Sequence, residues 1–263
     1  MLIRNGKAFT RGLLLLASFL VVFVLFFMPV FPPQEEGGAK TNGLVFADHL
    51  FNTLSKGSSN FFDPSKQDPK SVDHAVAGLQ GVTVDIEVPF KKTEDSYAAD
   101  GGMKSFNVLD SAVSLLSSYG FEASASGSSV KMKGDLHAFL AGVLEDSLST
   151  YNNSFGEVAG RRGGTDGAQV MKTYWHLLEN MIKPMQRAGQ VGEATVVNTV
   201  KGKAVEASYN FYGITPLRVV DNIPLVAGFL IFYVIYTMWY GFAIFELFEG
   251  IGLTMKKSAK SEV

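Results

Sequence analysis

Two long uncharged runs of apolar residues lie near the two ends of the chain. Residues 13–31 form a run of 19 without a charge, and residues 223–245 form a run of 23. As helices these runs would reach roughly 28 Å and 34 Å at 1.5 Å per residue, and the hydrocarbon core of a bilayer is about 30 Å thick. The pattern predicts two transmembrane helices, which we assign to residues 13–31 and 223–248.

A cleaved secretory signal is the alternative interpretation of the first run. Arg4, Lys7 and Arg11 precede it, as in the positive region of a signal peptide. The apolar part of a signal is usually about 7–15 residues long, which is shorter than this run. The small residues at 37–39, which could form a cleavage site, lie beyond several prolines. We therefore expect an uncleaved membrane anchor.

The start of the second run carries its own helix signal. Pro224 suits a first helical turn because its missing N–H would have no partner there. Asp221 or Asn222 stands just before it, and either side chain could accept a hydrogen bond from a free amide of that turn. The sequence thus predicts a capped helix start.

Charge predicts the orientation of the two spans. Residues 1–12 carry three basic residues and no acid, and the tail at 249–263 carries Lys256, Lys257 and Lys260. Because basic flanks stay on the cytoplasmic side, both termini should be cytoplasmic. Residues 34–217 hold 16 Lys and Arg against 21 Asp and Glu. We expect this segment to be extracytoplasmic, and in a bacterium it would be a periplasmic domain on the inner membrane.

The segment between the spans mixes two periodicities. Apolar residues recur at helical spacing in several stretches, whereas residues 82–88 alternate strictly between apolar and polar. This mixture indicates an α+β domain better than a doubly wound α/β fold, which needs regular strand–helix alternation. The predicted helices are 46–57, 72–79, 107–119, 135–148 and 168–186, with Asp135 as a cap and Pro184 kinking or ending the last one; the predicted hairpins are 121–125 with 129–133, and 193–201 with 203–211.

Residues 152–167 are the most irregular stretch and contain the strongest candidate contact on the soluble side. Glycine-rich backbone can wrap an anion, and two guanidiniums can bind phosphate or carboxylate. The segment lacks the order of a nucleotide-binding loop and a preceding strand. We interpret it as an exposed loop, with a partner or lipid-headgroup contact and a small-anion site as alternatives. The residues concerned are Arg161, Arg162, Gly163 and Gly164.

The composition excludes the chemistries that need cysteine. The chain has no cysteine and a formal net charge of −2, so thiol chemistry is excluded and bulk charge gives no nucleic-acid signature. Ser128 and Lys131 have the Ser-x-x-Lys spacing, but they fall on a predicted strand, where their side chains point to opposite faces. The histidines show no metal-ligand spacing, so we expect no metal and no cofactor, and His176 is expected at a core boundary with one hydrogen bond. The four histidines are His49, His74, His137 and His176.

The second span carries hydroxyl groups near its middle, where bulk water is absent. Such groups are costly when unpaired in hydrocarbon. They predict packing on the first span, self-association, or contact with a separate membrane subunit. The first span offers only Ser18 as a hydroxyl partner, which favours a separate subunit. The residues concerned are Tyr233, Tyr236, Thr237 and Tyr240, in a stripe with Phe229.

Two acids, Glu246 and Glu249, lie at the cytoplasmic end of the second span. We expect them to be interfacial groups paired with Lys256 and Lys257. A proton or cation path is the alternative, since carboxylates at a membrane edge often mark one. Two acids on a single helix do not make such a path.

These features predict a location more strongly than an activity. We expect a non-catalytic accessory or scaffolding subunit of a membrane assembly, whose outer domain docks a partner and whose second span contacts membrane protein and lipid. The alternative is a sensory or ligand-binding module that acts through a separate cytoplasmic partner, because the tail is too short for a transmitter domain. A membrane-bound hydrolase or transferase would need a convergent acid, base and nucleophile, which the sequence does not show.

Overall fold

The computed structural model describes residues 3–34, 38–58, 71–99 and 102–253. The fold is α+β, with 65% helix and two small sheets. It divides into two compact units, Met1–Ser58 with Pro216–Val263, and Ser59–Thr215. Helix α2 (Gly43–Ser58) therefore belongs to the unit of the two long apolar helices, whereas we expected residues 34–217 to form one domain.

Two helices in the first unit, α1 (Gly6–Phe27) and α10 (Ile223–Gly250), have the length and apolar composition needed to cross a membrane. Helix α1 begins before the predicted residue 13 because the Asn5 side chain accepts a hydrogen bond from the Ala8 amide. It ends at Phe27 because the next residue is extended and is followed by proline, which disfavours helical backbone before it.

The start of α10 differs in part from the prediction. Pro224 lies in its first turn as predicted, and a 3₁₀ turn, Val219–Asn222, precedes it. The predicted side-chain cap is wrong, because the Asn222 amide donates 3.0 Å to the Arg218 carbonyl instead of accepting from the helix. Asp221 lies 3.9 Å from the Arg218 guanidinium.

Small residues bring α1 and α10 together. Ala8 and Ala243 are fully buried, whereas most other residues of these two helices are exposed or half-buried. Gly12 lies directly against the backbone of Ala243 and Leu247, so that a β-carbon at this position would collide with main-chain atoms. Small residues spaced four apart, as Ala8 and Gly12 are, allow membrane helices to approach closely. The third helix of the unit is α2 (Gly43–Ser58).

The second unit contains a three-stranded antiparallel sheet. Its strands are β1 (Thr83–Pro89), β4 (Glu122–Ser126) and β5 (Ser129–Asp135), in the order β1-β5-β4. Val84, Ile86 and Val88 are buried along β1, which confirms the predicted alternation. The β4–β5 hairpin is also confirmed.

A second, two-stranded sheet was not predicted. It pairs β2 (Glu94–Ala99) with β3 (Gly102–Asn107) in antiparallel register. Tyr97 is its buried aromatic residue, whereas the described residues of β3 are exposed or half-buried. The hairpin thus lacks the apolar alternation that identifies β1.

The helices of this unit enclose its core, and the first five of them are α3 (Val72–Ala77), α4 (Val108–Ser118), α5 (Leu136–Tyr151), α6 (Phe155–Arg161) and α7 (Gly167–Arg187). Helix α5 begins after its predicted cap, Asp135, whose side chain accepts a hydrogen bond from the amide three residues on. Helix α4 begins one residue after the predicted start, because the Asn107 side chain caps it in the same way. Helix α7 continues for one turn past Pro184 and ends at Arg187. The stretch predicted as irregular contains a short helix, α6.

The predicted hairpin over 193–211 is wrong, because this segment is helical. It consists of α8 (Val191–Val200), a π-helical turn (Lys201–Val205) and α9 (Glu206–Asn210), with helical backbone at the junctions. Its β-branched residues favour strands locally. Burial of its apolar positions at helical spacing in the core overrides that preference; they include Ala194, Val197, Val200, Ala204 and Ala207.

Candidate functional site

The two arginines of the stretch 152–167, Arg161 and Arg162, bind an acidic residue of their own domain. Asp146 on α5 has no solvent exposure. Its Oδ1 accepts a 2.8 Å hydrogen bond from Nε of Arg161, and its Oδ2 accepts a 2.6 Å hydrogen bond from Nε of Arg162. Burying a carboxylate is costly unless it is paired and hydrogen bonded. The two guanidiniums therefore offset the cost of burying this carboxylate on α5.

Two tyrosines complete the network around Asp146. The hydroxyl of Tyr174 donates to Asp146 at 2.6 Å, and the hydroxyls of Tyr119 and Tyr174 are 2.7 Å apart. Arg162 donates to the Tyr119 hydroxyl, and its guanidinium carbon lies 4.1 Å from the centre of that ring. Burial, with the charge of Asp146, raises the pKa of Tyr119 above its ordinary value. Both tyrosines are therefore protonated donors at neutral pH.

The predicted anion or partner contact stays a prediction, and the geometry limits where it can lie. The Arg162 side chain is 8% exposed and that of Arg161 is 28% exposed. Gly163 and Gly164 adopt positive φ and line an open surface cavity of about 600 Å³, together with Lys104. The lining of this cavity includes glycine backbone and Lys104 but neither guanidinium.

The aromatic stripe of α10 packs in part on α1. The ring centres of Tyr236 and Tyr240 lie 4.2 Å and 5.2 Å from that of Phe19. Tyr233 is three residues before Tyr236, which is about 60° around the helix axis. Its side chain is 67% exposed, and no described residue hydrogen bonds its hydroxyl. Helix α1 thus covers one side of the stripe and leaves Tyr233 uncovered.

Polar atoms in the middle of α10 lack partners. The Tyr236 hydroxyl and the Trp239 indole nitrogen are buried without a hydrogen bond among the residues described. The Thr237 hydroxyl donates to the Tyr233 carbonyl one turn earlier. Thr237 is therefore satisfied within its own helix, whereas the Tyr236 and Trp239 groups are not.

The two acids at the end of α10 contact the start of α1. Glu246 Oε2 lies 3.2 Å from a guanidinium nitrogen of Arg11, and the Asn5 amide donates 3.3 Å to Glu249. We expected pairing with Lys256 and Lys257, which lie outside the described residues. The basic partner observed for Glu246 thus comes from the N-terminal flank.

Sequence reasoning missed a charged cluster on Asp95, in β2. Its Oδ1 accepts from Lys92 at 2.6 Å, and its Oδ2 lies 3.2 Å from Lys172 and 2.8 Å from Nε2 of His176. Burial opposes ionisation of Asp95, but the hydrogen bonds from Lys92, His176, the Ser96 amide and Lys172 outweigh it. They hold the pKa of this carboxyl well below its ordinary value. The buried position and hydrogen bond of His176 agree with expectation, but its acidic partner was not foreseen.

A pocket opens beside this cluster, between α7 and α9. Its volume is about 380 Å³, and Trp175 and Tyr209 contribute aromatic rings to its lining. Nε1 of Trp175 donates a 2.9 Å hydrogen bond to Oε1 of Glu206. The helical spacing of Lys172 and Trp175 could have placed these two side chains on one face. Asp95 lies in a polar stretch that carries no pattern, and α9 was predicted as a strand.

Among the described residues, no group of three or more His, Asp or Glu side chains is placed to bind a metal ion. No protein-family model, curated protein or solved structure matches the chain. The geometry of the α1–α10 pair and of the pocket beside Asp95 is therefore the basis for assigning a function.

Proposed function

We propose that this protein is a non-catalytic accessory or scaffolding subunit of a membrane assembly, held by two spans in the inner membrane of a bacterium. Both termini would be cytoplasmic, and the α+β domain would be a periplasmic docking domain. The basic flanks of both apolar runs and the net negative charge of residues 34–217 support this topology.

The observation that carries the proposal is the exposed hydroxyl of Tyr233. It lies near the middle of a 28-residue apolar helix, where lipid offers no hydrogen bond. Phe19 on α1 covers Tyr236 and Tyr240 but leaves Tyr233 uncovered. A polar residue on a neighbouring membrane subunit would satisfy this hydroxyl, as polar side chains do between membrane helices.

Site-specific photo-crosslinking tests this interface in native membranes. A benzophenone amino acid at Tyr233 should give a discrete crosslinked protein adduct. The same group at Ile235, 55% exposed and about 200° away around the helix, should give none. Tyr233→Phe, which removes only the hydroxyl, should reduce co-purification of the crosslinked protein in mild detergent. A strictly monomeric protein in native mass spectrometry, with no adduct at position 233, would contradict the proposal.

The pocket beside Asp95 favours a second candidate function, a ligand-binding or sensory module that acts through a cytoplasmic partner. Pockets of about 300–1,000 Å³ that combine aromatic walls with a few polar groups are typical of small-molecule sites. The volume and lining of this pocket fall within that description. Thermal stabilisation of the full-length protein by a small ligand would be the expected sign of such a function.

A further inference from the structure

The pocket between α7 and α9 presents charges of opposite sign. Lys172 and Trp175 are three residues apart on α7, as Glu206 and Tyr209 are on α9, so each pair spans about 4.5 Å along its helix. The Lys172 ammonium lies 5.7 Å from the centre of the Tyr209 ring, and Trp175 hydrogen bonds Glu206 at 2.9 Å. The pocket therefore has a basic end at Lys172 and an acidic end at Glu206.

Both charged groups keep hydrogen-bonding capacity for a ligand. An ammonium has three N–H donors, and the contacts of Lys172 with described residues use two of them, on Asp95 and on the Ser96 carbonyl. Glu206 uses Oε1 to accept from Trp175, and no described residue donates to its Oε2. One donor and one acceptor are therefore available.

The charges and aromatic rings around Lys172 and Glu206 also favour a ligand that carries both signs of charge. Lys92 and Lys172 both pair with the single carboxylate of Asp95, which leaves the basic end with excess positive charge. At the acidic end the indole of Trp175 is 37% exposed beside Glu206. Aromatic faces attract organic cations. An anionic group is thus favoured at one end and a cationic nitrogen at the other.

The helix that forms one wall is locally distorted where the pocket begins. The π-helical turn Lys201–Val205 leads directly into Glu206, and Val205 lines the pocket. Single π turns inside α-helices occur frequently at functional sites. The π-helical turn therefore ends at the residue before Glu206, which forms the acidic end of the pocket.

We infer that this pocket binds a small zwitterion, such as a free amino acid or a betaine. The ligand carboxylate would accept from Lys172, and its cationic nitrogen would lie against Glu206 and the face of Trp175. The inference rests on the second candidate function, the ligand-binding module, and specifies the class of ligand.

Isothermal titration of the full-length protein in detergent tests this assignment with matched probes. Glycine betaine and L-valine carry both charges, choline lacks the carboxylate, and 3,3-dimethylbutyrate replaces the betaine nitrogen by carbon. We expect saturable binding of at least one zwitterion, with both single-charge analogues weaker by about tenfold or more, as for loss of a hydrogen bond to a charged group. Choline, which lacks the carboxylate, tests the Lys172 end while leaving the Lys172–Asp95 pair unchanged, and 3,3-dimethylbutyrate, which lacks the cationic nitrogen, tests the Glu206 end.

Glu206→Gln should weaken zwitterion binding by about tenfold or more. Glu179→Gln is the matched control, because Glu179 lies one turn beyond Trp175 on α7, pairs with Lys201 and does not line the pocket; it should change the affinity less than about twofold. Circular dichroism melting of both variants checks that they fold.

The outcomes separate the ligand class from the candidate function. Saturable binding of choline alone or of 3,3-dimethylbutyrate alone would overturn the zwitterion assignment and leave the ligand-binding module standing. Zwitterion affinity that is unchanged by Glu206→Gln would overturn the placement at this pocket. No saturable heat from any probe up to about 10 mM, tenfold above a ~1 mM dissociation constant, would overturn the site and remove the support for the ligand-binding module.

Discussion

Arg162 donates a 2.6 Å hydrogen bond from Nε to Oδ2 of Asp146, a carboxylate with no solvent exposure. Arg161 holds the other oxygen of the same carboxylate at 2.8 Å. These two guanidiniums, predicted from the sequence as a candidate anion contact, thus link the end of α6 to α5.

Replacing Asp146 by Asn should destabilise the protein strongly. The change removes the charge that Arg161 and Arg162 neutralise and leaves two cations around a buried amide, which typically costs about 3–5 kcal/mol. Chemical denaturation of the full-length protein, followed by circular dichroism, measures the free energy of unfolding.

Glu145→Gln is the matched control for Asp146→Asn. Glu145 precedes Asp146 on α5 and lies 3.4 Å from Arg161, but its side chain is 62% exposed. An exposed ion pair contributes about 0–1 kcal/mol, so this variant should unfold almost as the parent does. Equal losses in the two variants would contradict a stabilising role for the buried network.

Gly12→Val should disrupt the pair formed by α1 and α10. A β-carbon at Gly12 would collide with the backbone of Ala243 and Leu247, and that backbone cannot rotate away as a side chain can. Forced overpacking typically costs about 1–3 kcal/mol. The melting temperature in detergent should therefore fall.

Gly241→Val provides the comparison for Gly12→Val, because a β-carbon at Gly241 meets no heavy atom within 4 Å. The same side chain is added to a long apolar helix in both variants, so only the close approach differs. If both variants melted at the same temperature, close packing at Gly12 would be excluded as a source of stability.

Asp95 should contribute to stability at neutral pH and lose that contribution in acid. Its pKa in the folded protein is depressed, so the unfolded chain binds a proton first as the pH falls below about 4. The stabilisation is complete above the unfolded pKa and declines as the pH falls towards the folded pKa. The difference in melting temperature between the parent and Asp95→Asn should be largest near neutral pH and should shrink below about pH 4.

The control for this pH dependence is Asp85→Asn. Asp85 also pairs with a lysine, at 3.3 Å, but its side chain is 75% exposed. The melting temperature of Asp85→Asn should therefore differ little from that of the parent across the whole pH range. A melting difference for Asp95→Asn that stayed constant into acid would show that the Asp95 charge does not stabilise the fold.

Elements with strong local signals could be predicted from the sequence. The alternation along β1 and the cap at Asp135 fix these elements, because buried faces and side-chain caps act within a few residues. The two apolar helices follow from length and composition alone.

The misassigned segments depend on distant contacts. Thr195, Val196 and Val197 have strand propensity, but Val197 and Val200 are buried in a helix against the core. The polar hairpin of β2 and β3 has little apolar pattern of its own, and only the fold places Asp95 beside His176, 81 positions away. The pocket therefore could not be found from sequence spacing.

The topology of the two spans can be measured directly, because the chain has no cysteine of its own. Ser128→Cys places a thiol at an exposed turn of the β4–β5 hairpin, and Ser261→Cys places one in the basic tail. In intact cells treated with a membrane-impermeant maleimide, we expect labelling at position 128, and labelling at position 261 only after the membrane is permeabilised. Labelling of position 261 but not position 128 in intact cells would contradict the proposed orientation and, with it, the periplasmic docking domain.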